Sequence, residues 1–316
     1  MYSPNDYDFD LPEELIAQKP ETRRDASRLL RLSRRSGTLS HHRFHGLCDF
    51  LRPEDVLVVN DTRVVPVRLV GKKETGGRVE VLILDYARSV EAVSGAGAVN
   101  CECLVKTAGR VRPGTRVFFE RGLTGEIGDS RDGVFSVSFF CREDFGGLLA
   151  EIGGVPLPPY IRREGDAGRM EDRAAYQTVY AAQNGAAAAP TAGLHFTPSL
   201  LETIRAMGVT IVAITLHVGY GTFRPVKVTD IREHCMHRED YTISETAASA
   251  IDRAKAKGRR VVAVGTTCVR TLEYALDNRG RIRPGGGQCD LFIYPGYRFR
   301  VVDAVITNFH LPKSTL

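Results

Sequence analysis

The sequence predicts an α/β protein: a mixed α/β main domain with an inserted small antiparallel β-barrel-like domain. Three observations predict it. Short β-type runs separated by glycine and proline turns crowd the stretch 68–154, the spacing of a small sandwich or barrel. From Val155 onward strands and helices alternate, as α/β layering requires. The 316 residues, 43% hydrophobic and 26% charged, are enough for two cores. The main domain is therefore expected over 1–67 and 155–316, and the insert over 68–154.

Each element has a local reason. Asp55-Val-Leu-Val-Val-Asn60 reads as a buried strand that ends in polar residues. In the insert, 78–86, 99–106, 115–120 and 132–140 are strand-like, with Arg112-Pro-Gly114 as one of the turns between them. Cys101 and Cys103 stand two apart there and should share a face. Thr197 and Pro198 make a helix cap and first turn, Leu200, Leu201 and Ile204 an apolar face, and Gly208 the stop. A buried strand follows at 209–216. Ser244 caps a helix running to Gly258, 259–265 is a strand, and 266–276 resumes helix. Strands at 290–294 and 301–307 complete the set.

Composition narrows the class. The opening residues are acidic and proline-broken, unlike a secretory leader. The apolar run Val209–Leu216 is too short to span a bilayer. Seven cysteines without a Cys-x-x-Cys pair point to reduced thiols, so a soluble cytoplasmic protein is expected. A net charge of +5 permits a polyanionic partner without demanding one.

Polar clusters sit at strand ends, where α/β folds place ligands. Asn60-Asp61-Thr62-Arg63 is either a capped turn or a site whose Arg63 grips an anion. In Pro190-Thr191-Ala-Gly193-Leu-His195, glycine permits close approach and His195 exchanges protons near neutrality. His217, Gly219, Gly221, Thr222 and Arg224 crowd the loop after 209–216; Arg224 stands where a dinucleotide fingerprint needs its third glycine. His234, Cys235, His237 and Glu239 invite zinc, but no second Cys/His pair completes a set, so no metal is expected, and base, acid or substrate contacts or an exposed polar turn are the other readings. Gly265-Thr266-Thr267 at a strand-to-helix junction suits an anion, and Arg270 with Glu273 could equally be a surface ion pair. Asn308, His310 and Lys313 close the chain in a further polar loop.

Read in order, DYDFDLPEELIAQKP, RRDASRLL, VLVVNDTRVVPVRL, PTAGLHFTPSLL, TLHVGYGTFRPV, HCMHRE, VGTTCVRTLE, IYPGY and ITNFHLPKSTL resemble the signature segments of the S-adenosylmethionine:tRNA ribosyltransferase-isomerase family of queuosine biosynthesis. The resemblance runs over nearly the whole chain. It implies transfer and isomerisation of the cofactor's ribosyl group onto the 7-aminomethyl-7-deazaguanine wobble base of tRNA. The products are epoxyqueuosine-tRNA, adenine and methionine. It further implies S-adenosylmethionine as co-substrate, a tRNA partner, and no membrane or obligate protein partner; a monomer is expected.

Carried over residue by residue, His195, His217, His234 and His237 are the acid/base pool. Asn60, Asp61, Arg63, Thr191, Gly193, Gly219, Gly221, Thr222, Arg224, Gly265, Thr266, Thr267, Arg270, Asn308, His310 and Lys313 are the cofactor-side candidates. Cys235 and Cys268 depart from the family pattern, where lysine and serine are usual, and relatives continue beyond the segment that ends here at Leu316. Two rivals fit less well. An S-adenosylmethionine methyltransferase needs a glycine-rich loop after its first strand. A non-catalytic RNA-binding module needs a basic, aromatic-rich insert, and residues 78–120 mix both charges.

Overall fold

The computed structural model describes residues 2–86, 89, 98–142, 144–163, 169–219, 226 and 228–315. An antiparallel ribbon of β1 (Arg28–Leu32) and β2 (Leu39–Arg43) comes first. Next is β3 (Val56–Asn60), buried at every position, as a strand covered on both faces must be. Val56 and Val58 pack into one apolar cluster and Leu57 and Val59 into another, so the strand's alternation feeds two layers. The short β4 (Thr62–Val64) then leads the chain away.

A closed six-stranded barrel occupies the middle of the sequence. It is built from β5 (Arg68–Lys73), β6 (Arg78–Ile83), β7 (Val99–Thr107), β8 (Thr115–Phe118), β9 (Thr124–Arg131) and β10 (Val134–Phe140). Their order around it is β10-β7-β6-β5-β8-β9, and the β9–β10 pairing closes the ring. All its ladders are antiparallel. Cys101 and Cys103 both point inward, as their two-residue spacing predicts. Arg68 N–H donates to Gly154 and Gly154 N–H returns a bond to Arg68, clasping the two ends of the barrel segment. Helix α1 (Phe145–Ile152) packs Leu148 and Leu149 against the barrel core on the way back.

After α2 (Arg169–Ala175), β11 (Gln183–Ala186) pairs parallel to β4. The alanine run 186–189 is almost wholly buried; small side chains let the backbone pass through a tight space there. The remaining elements are α3 (Pro198–Ala206), β12 (Thr210–Leu216), β13 (Glu239–Ile243), α4 (Glu245–Ala256), β14 (Val261–Val264), α5 (Gly265–Tyr274), β15 (Gly285–Cys289) and β16 (Ala304–Ile306). They complete a six-stranded sheet of order β15-β13-β12-β3-β14-β16. The four strands β12, β3, β14 and β16 run parallel, and β13 and β15 add an antiparallel edge. Helix α3 covers one face while α4 and α5 cover the other. Thr197 and Ser244 cap α3 and α4 through their hydroxyls, where the sequence places them.

The expected strand at 290–294 does not form. Its place at the sheet edge belongs to the glycine-rich 285–289, which pairs with β13, while the Leu291 carbonyl accepts from Arg270. The neighbouring strand wins because its ladder is complete, whatever its intrinsic β-propensity. Among the described residues, no helix is long and apolar enough to cross a membrane.

Leu57 is fully buried in the central strand. Leu57→Ala should cost about 3 kcal/mol of unfolding free energy through lost transfer energy and a residual cavity. Urea titration followed by circular dichroism checks it; an unchanged midpoint would contradict the packing described.

Candidate active site

Because β12, β3, β14 and β16 are parallel, the segments that follow their last residues emerge at one end of the sheet. Four of the sequence's polar clusters meet there. Asn60, 1% exposed, organises the first two. Its Nδ2 donates to the Leu216 carbonyl at 2.9 Å, and its Oδ1 accepts from the amides of Leu216 and Thr62 at 3.0 and 3.1 Å. An amide side chain carries both donor and acceptor, so it can pin two diverging strands at once. Thr62, fully buried, places its Oγ1 2.8 Å from Nδ1 of His217. Asp61 accepts from Thr215 Oγ1 at 2.7 Å.

Asp61 and His217 both line a cleft of about 810 Å³ that follows β12. Gln183, Asn184, Thr242 and Ser244 add amides and hydroxyls to its wall, and Tyr86, beyond β6, reaches it from the barrel side. The opening exists because β12 and β13 pair only at Thr215 and Leu216, leaving the earlier part of β12 unzipped on that side. The volume lies within the usual range of small-molecule sites. Gly185 is required beside it: at φ 151° it lies against the His217 ring, and a Cβ there would come within 2.7 Å of Nδ1 and Cε1.

The second pair of clusters meets at His195. Its Nδ1 lies 3.0 Å from Ser27 Oγ and its Nε2 2.9 Å from Asn308 Oδ1, joining the turn 191–195 to the end of β16. Burial, with some help from the nearby Arg24 charge, holds its pKa below the ordinary 6.5 against the opposing bond from Asn308. Arg24 itself is occupied by the carbonyls of Gln177, Leu194 and Ala174. Gly193 lies under the Tyr180 hydroxyl. Gly265, at φ 86°, opens α5, whose Thr266 is half-exposed and whose Thr267 is buried. The hydroxyls of Tyr180 and Thr267 are enclosed.

Other candidates lie elsewhere. Arg270 is 6% exposed and does not form a surface pair with Glu273. It binds the buried Glu239 carboxylate and the carbonyls of Leu291 and Cys289. Glu239 in turn accepts from the Gly219 amide at 3.0 Å. Glu273 receives the amides of Arg300, Val301 and Val302. Arg63 is exposed and donates to the Ala181 carbonyl. His234 packs on Phe292, and neither it nor the exposed His237 lines the cleft. His310 is half-buried, and Lys313 pairs with Asp8 at 2.7 Å. Thr191 is half-exposed in its turn. Gly221, Thr222 and Arg224 lie outside the described residues. Sequence reasoning passed over Ser27 and Gly185 as site-builders, and weighed Glu239 only as part of the 234–240 cluster. Ser27 and Glu239 lie within quoted signature segments, whereas Gly185 is marked only by its place in a polar turn before the alanine run.

A family model described as queuosine biosynthesis protein matches residues 4–316. The chain belongs to this family. Among the family's curated members, the chain is 51% identical over 313 residues to the S-adenosylmethionine:tRNA ribosyltransferase-isomerase of Syntrophotalea carbinolica, covering 99% of this chain and 88% of that one. It is 50% identical over 315 residues to the enzyme of the same name from Symbiobacterium thermophilum, with the same coverages. A solved S-adenosylmethionine tRNA ribosyltransferase from Thermotoga maritima shares 31% identity, covers 98% of this chain and 86% of its own, and superposes with a TM-score of 0.49.

Gly185→Ala should displace the His217 ring, lowering kcat by more than about tenfold and the melting temperature as well, since φ 151° strains any side chain and about 1 Å of misplacement is costly to catalysis. Steady-state rates beside a thermal melt check it; wild-type kcat would show that the ring's seat is irrelevant. A second expectation concerns pH. Burial lowers the pKa values of His195, His234 and His310 below 6.5. The unfolded chain then binds more protons than the native one. Their contribution to stability is complete above 6.5 and is lost as pH falls through the lowered native values. The urea midpoint should drop between about pH 8 and about pH 5.5, and less steeply in His195→Gln. A flat profile would contradict burial of the neutral rings.

Proposed function

We propose that this protein is an S-adenosylmethionine:tRNA ribosyltransferase-isomerase, transferring and isomerising the ribosyl group of S-adenosylmethionine onto the 7-aminomethyl-7-deazaguanine wobble base of tRNA. Epoxyqueuosine-tRNA, adenine and methionine are the products. The observation that carries this reading is family membership over the whole described fold together with about half-identity to relatives bearing that name. The cleft beside Asp61 and His217 supplies a place for it.

The sulfonium of S-adenosylmethionine acidifies the adjacent ribosyl methylene, so a general base can start the departure of adenine. We assign that role to His217. With a proton on Nδ1 donated to Thr62 Oγ1, Nε2 carries the lone pair. Adenine leaves with a proton returned to it. The substrate's amine then attacks, and epoxide closure expels methionine. Asp61 is the carboxylate that attracts the aminomethyl group, held in place by Thr215. The cleft's amide and hydroxyl groups suit ribose and purine. His195 is assigned to hold the turn 191–195 against Asn308 and so shape the adjoining pocket at Gly193 and Gly265–Thr267.

We further propose that residues 68–154 form an inserted unit, supported by the Arg68–Gly154 clasp. No disulfide joins any of the cysteines among the described residues and four of them are buried, which supports work in the reducing cytoplasm.

The deciding assay mixes the protein with S-adenosylmethionine and tRNA carrying the aminomethyl-deazaguanine and follows adenine by chromatography. Release of adenine only with tRNA present is expected; S-adenosylhomocysteine instead would mean methyl transfer. His217→Asn should lower kcat by about 10²–10⁴ with KM little changed, the contribution of a general base. A loss below threefold would remove His217 from that role.

A further inference from the structure

The chain's excess positive charge is concentrated in one segment. Residues 26–48 contain Arg28, Arg31, Arg34, Arg35 and Arg43 and no lysine, aspartate or glutamate. With histidine neutral, the segment carries the same +5 as the entire chain, so all other residues together balance to zero. This is the segment that folds into the β1–β2 ribbon. Its register places Arg28 opposite Arg43, Leu30 opposite His41 and Leu32 opposite Leu39, so these six share one face.

That face is exposed. Leu32 and Leu39 keep 61% and 60% of their surface open to solvent, a high value for leucines in a strand pair. The opposite face is the anchored one. Leu29 packs against the core, the Arg31 guanidinium lies 5.2 Å from the Phe50 ring centre, and His42 sits edge-on to the same ring. None of the five arginines is ion-paired among the described residues; the nearest pair in sequence is Arg23 with Asp25. The charge is therefore not consumed within the fold.

The ribbon starts at the candidate site. Ser27, the residue before β1, touches His195, and Phe44, the residue after β2, bonds back to the Ser27 carbonyl and stacks 5.2 Å from the His195 ring. A five-residue strand extends about 17 Å, enough to meet several phosphates along a nucleic-acid backbone.

We propose that the Arg28–Arg43 ribbon, attached at His195, is the surface on which this enzyme docks the phosphate backbone of its tRNA. Arginines contact phosphates, and Leu30, Leu32 and Leu39 give an apolar bed for ribose and unstacked bases. The inference rests on the proposed function, which supplies the tRNA; the placement comes from the charge and the ribbon's attachment to His195.

The test uses the full chain and tRNA bearing the aminomethyl-deazaguanine, with Kd read by fluorescence anisotropy over a salt series. Arg34 and Arg35, exposed in the ribbon's turn, are changed to glutamate or to lysine. R34E/R35E should bind at least about tenfold more weakly, with a salt slope shallower by roughly 1–2, since each phosphate contact contributes about 0.7–0.9. R34K/R35K should stay near wild type, and the affinity for S-adenosylmethionine should not move in either. Should the glutamate pair unfold by circular dichroism, R34A/R35A carries the same expectation. Wild-type affinity and slope in the charge-removed variants, with tRNA binding intact, would overturn the ribbon's role and leave the proposed function standing. Charge-dependent binding to phosphatidylglycerol vesicles with tRNA affinity unmoved would reassign the face to a membrane and also overturn it. Failure of the wild-type protein to bind tRNA at all would overturn the proposed function and this inference together.

Discussion

At the carboxyl ends of β3 and β12 the two strands part, and the side-chain amide of Asn60 takes over where their backbone ladder stops. Pairing ends at Ile214 and Asn60; beyond it, Nδ2 and Oδ1 of Asn60 bond both backbone groups of Leu216. Without that bridge the separation of the strands would leave buried donors and acceptors unpaired, each costing about 1–3 kcal/mol. With it, Thr62 and His217 are brought within hydrogen-bond reach and the chain can turn out to the barrel. The cleft, the seat of His217 on Gly185 and the contact of Asp61 with Thr215 all follow from this divergence. Leucine at position 60 would fill the space, but it would satisfy neither partner.

A second constraint is the treatment of buried charge. The buried Arg270, Glu239 and Glu273, and the half-buried Arg24, are each tied to backbone groups or to one another. Glu273 in particular receives three consecutive amides from the segment before β16, fixing a stretch that has no regular secondary structure. A charge removed from water must be compensated in full, and these residues use that requirement to hold loops. Asp61 and His217 differ from them because they border open volume. The ribbon arginines differ again, since among the described residues none of them pairs with an acid.

Much of this was legible beforehand. Buried strands such as 56–60 and 210–216 announce themselves as apolar runs, and the caps at Thr197 and Ser244 act within four residues of themselves. The inward pairing of Cys101 and Cys103 follows from strand alternation alone. The polar clusters at strand ends could be found because parallel strands deliver their ends to one side. What misled was the edge of the sheet. Residues 290–294 look more like a strand than Gly285–Cys289, yet the latter pairs with β13. Edge pairing depends on which segment the preceding loop presents to an open ladder, and propensity does not report that. Arg270 and Glu273 misled for a related reason: helical spacing brings two side chains near each other but says nothing of stronger partners arriving from β13 and the segment before β16.

By itself, the sequence determined the layering of the fold, the small antiparallel β-barrel, the chemistry available at each strand end and, through its ordered motifs, the family. These depend on local periodicity and residue type, which survive without a third dimension. Only the tertiary structure decided which of those groups stand together. It joined His195 to Ser27 and Asn308 across 168 and 113 residues, sent Arg270 to Glu239, and set His217 on Gly185. It also attached the ribbon that carries the chain's surplus charge beside His195, through Ser27 and Phe44. Contacts between residues so far apart in the chain are chosen by the packing of whole layers, and no local pattern encodes that choice.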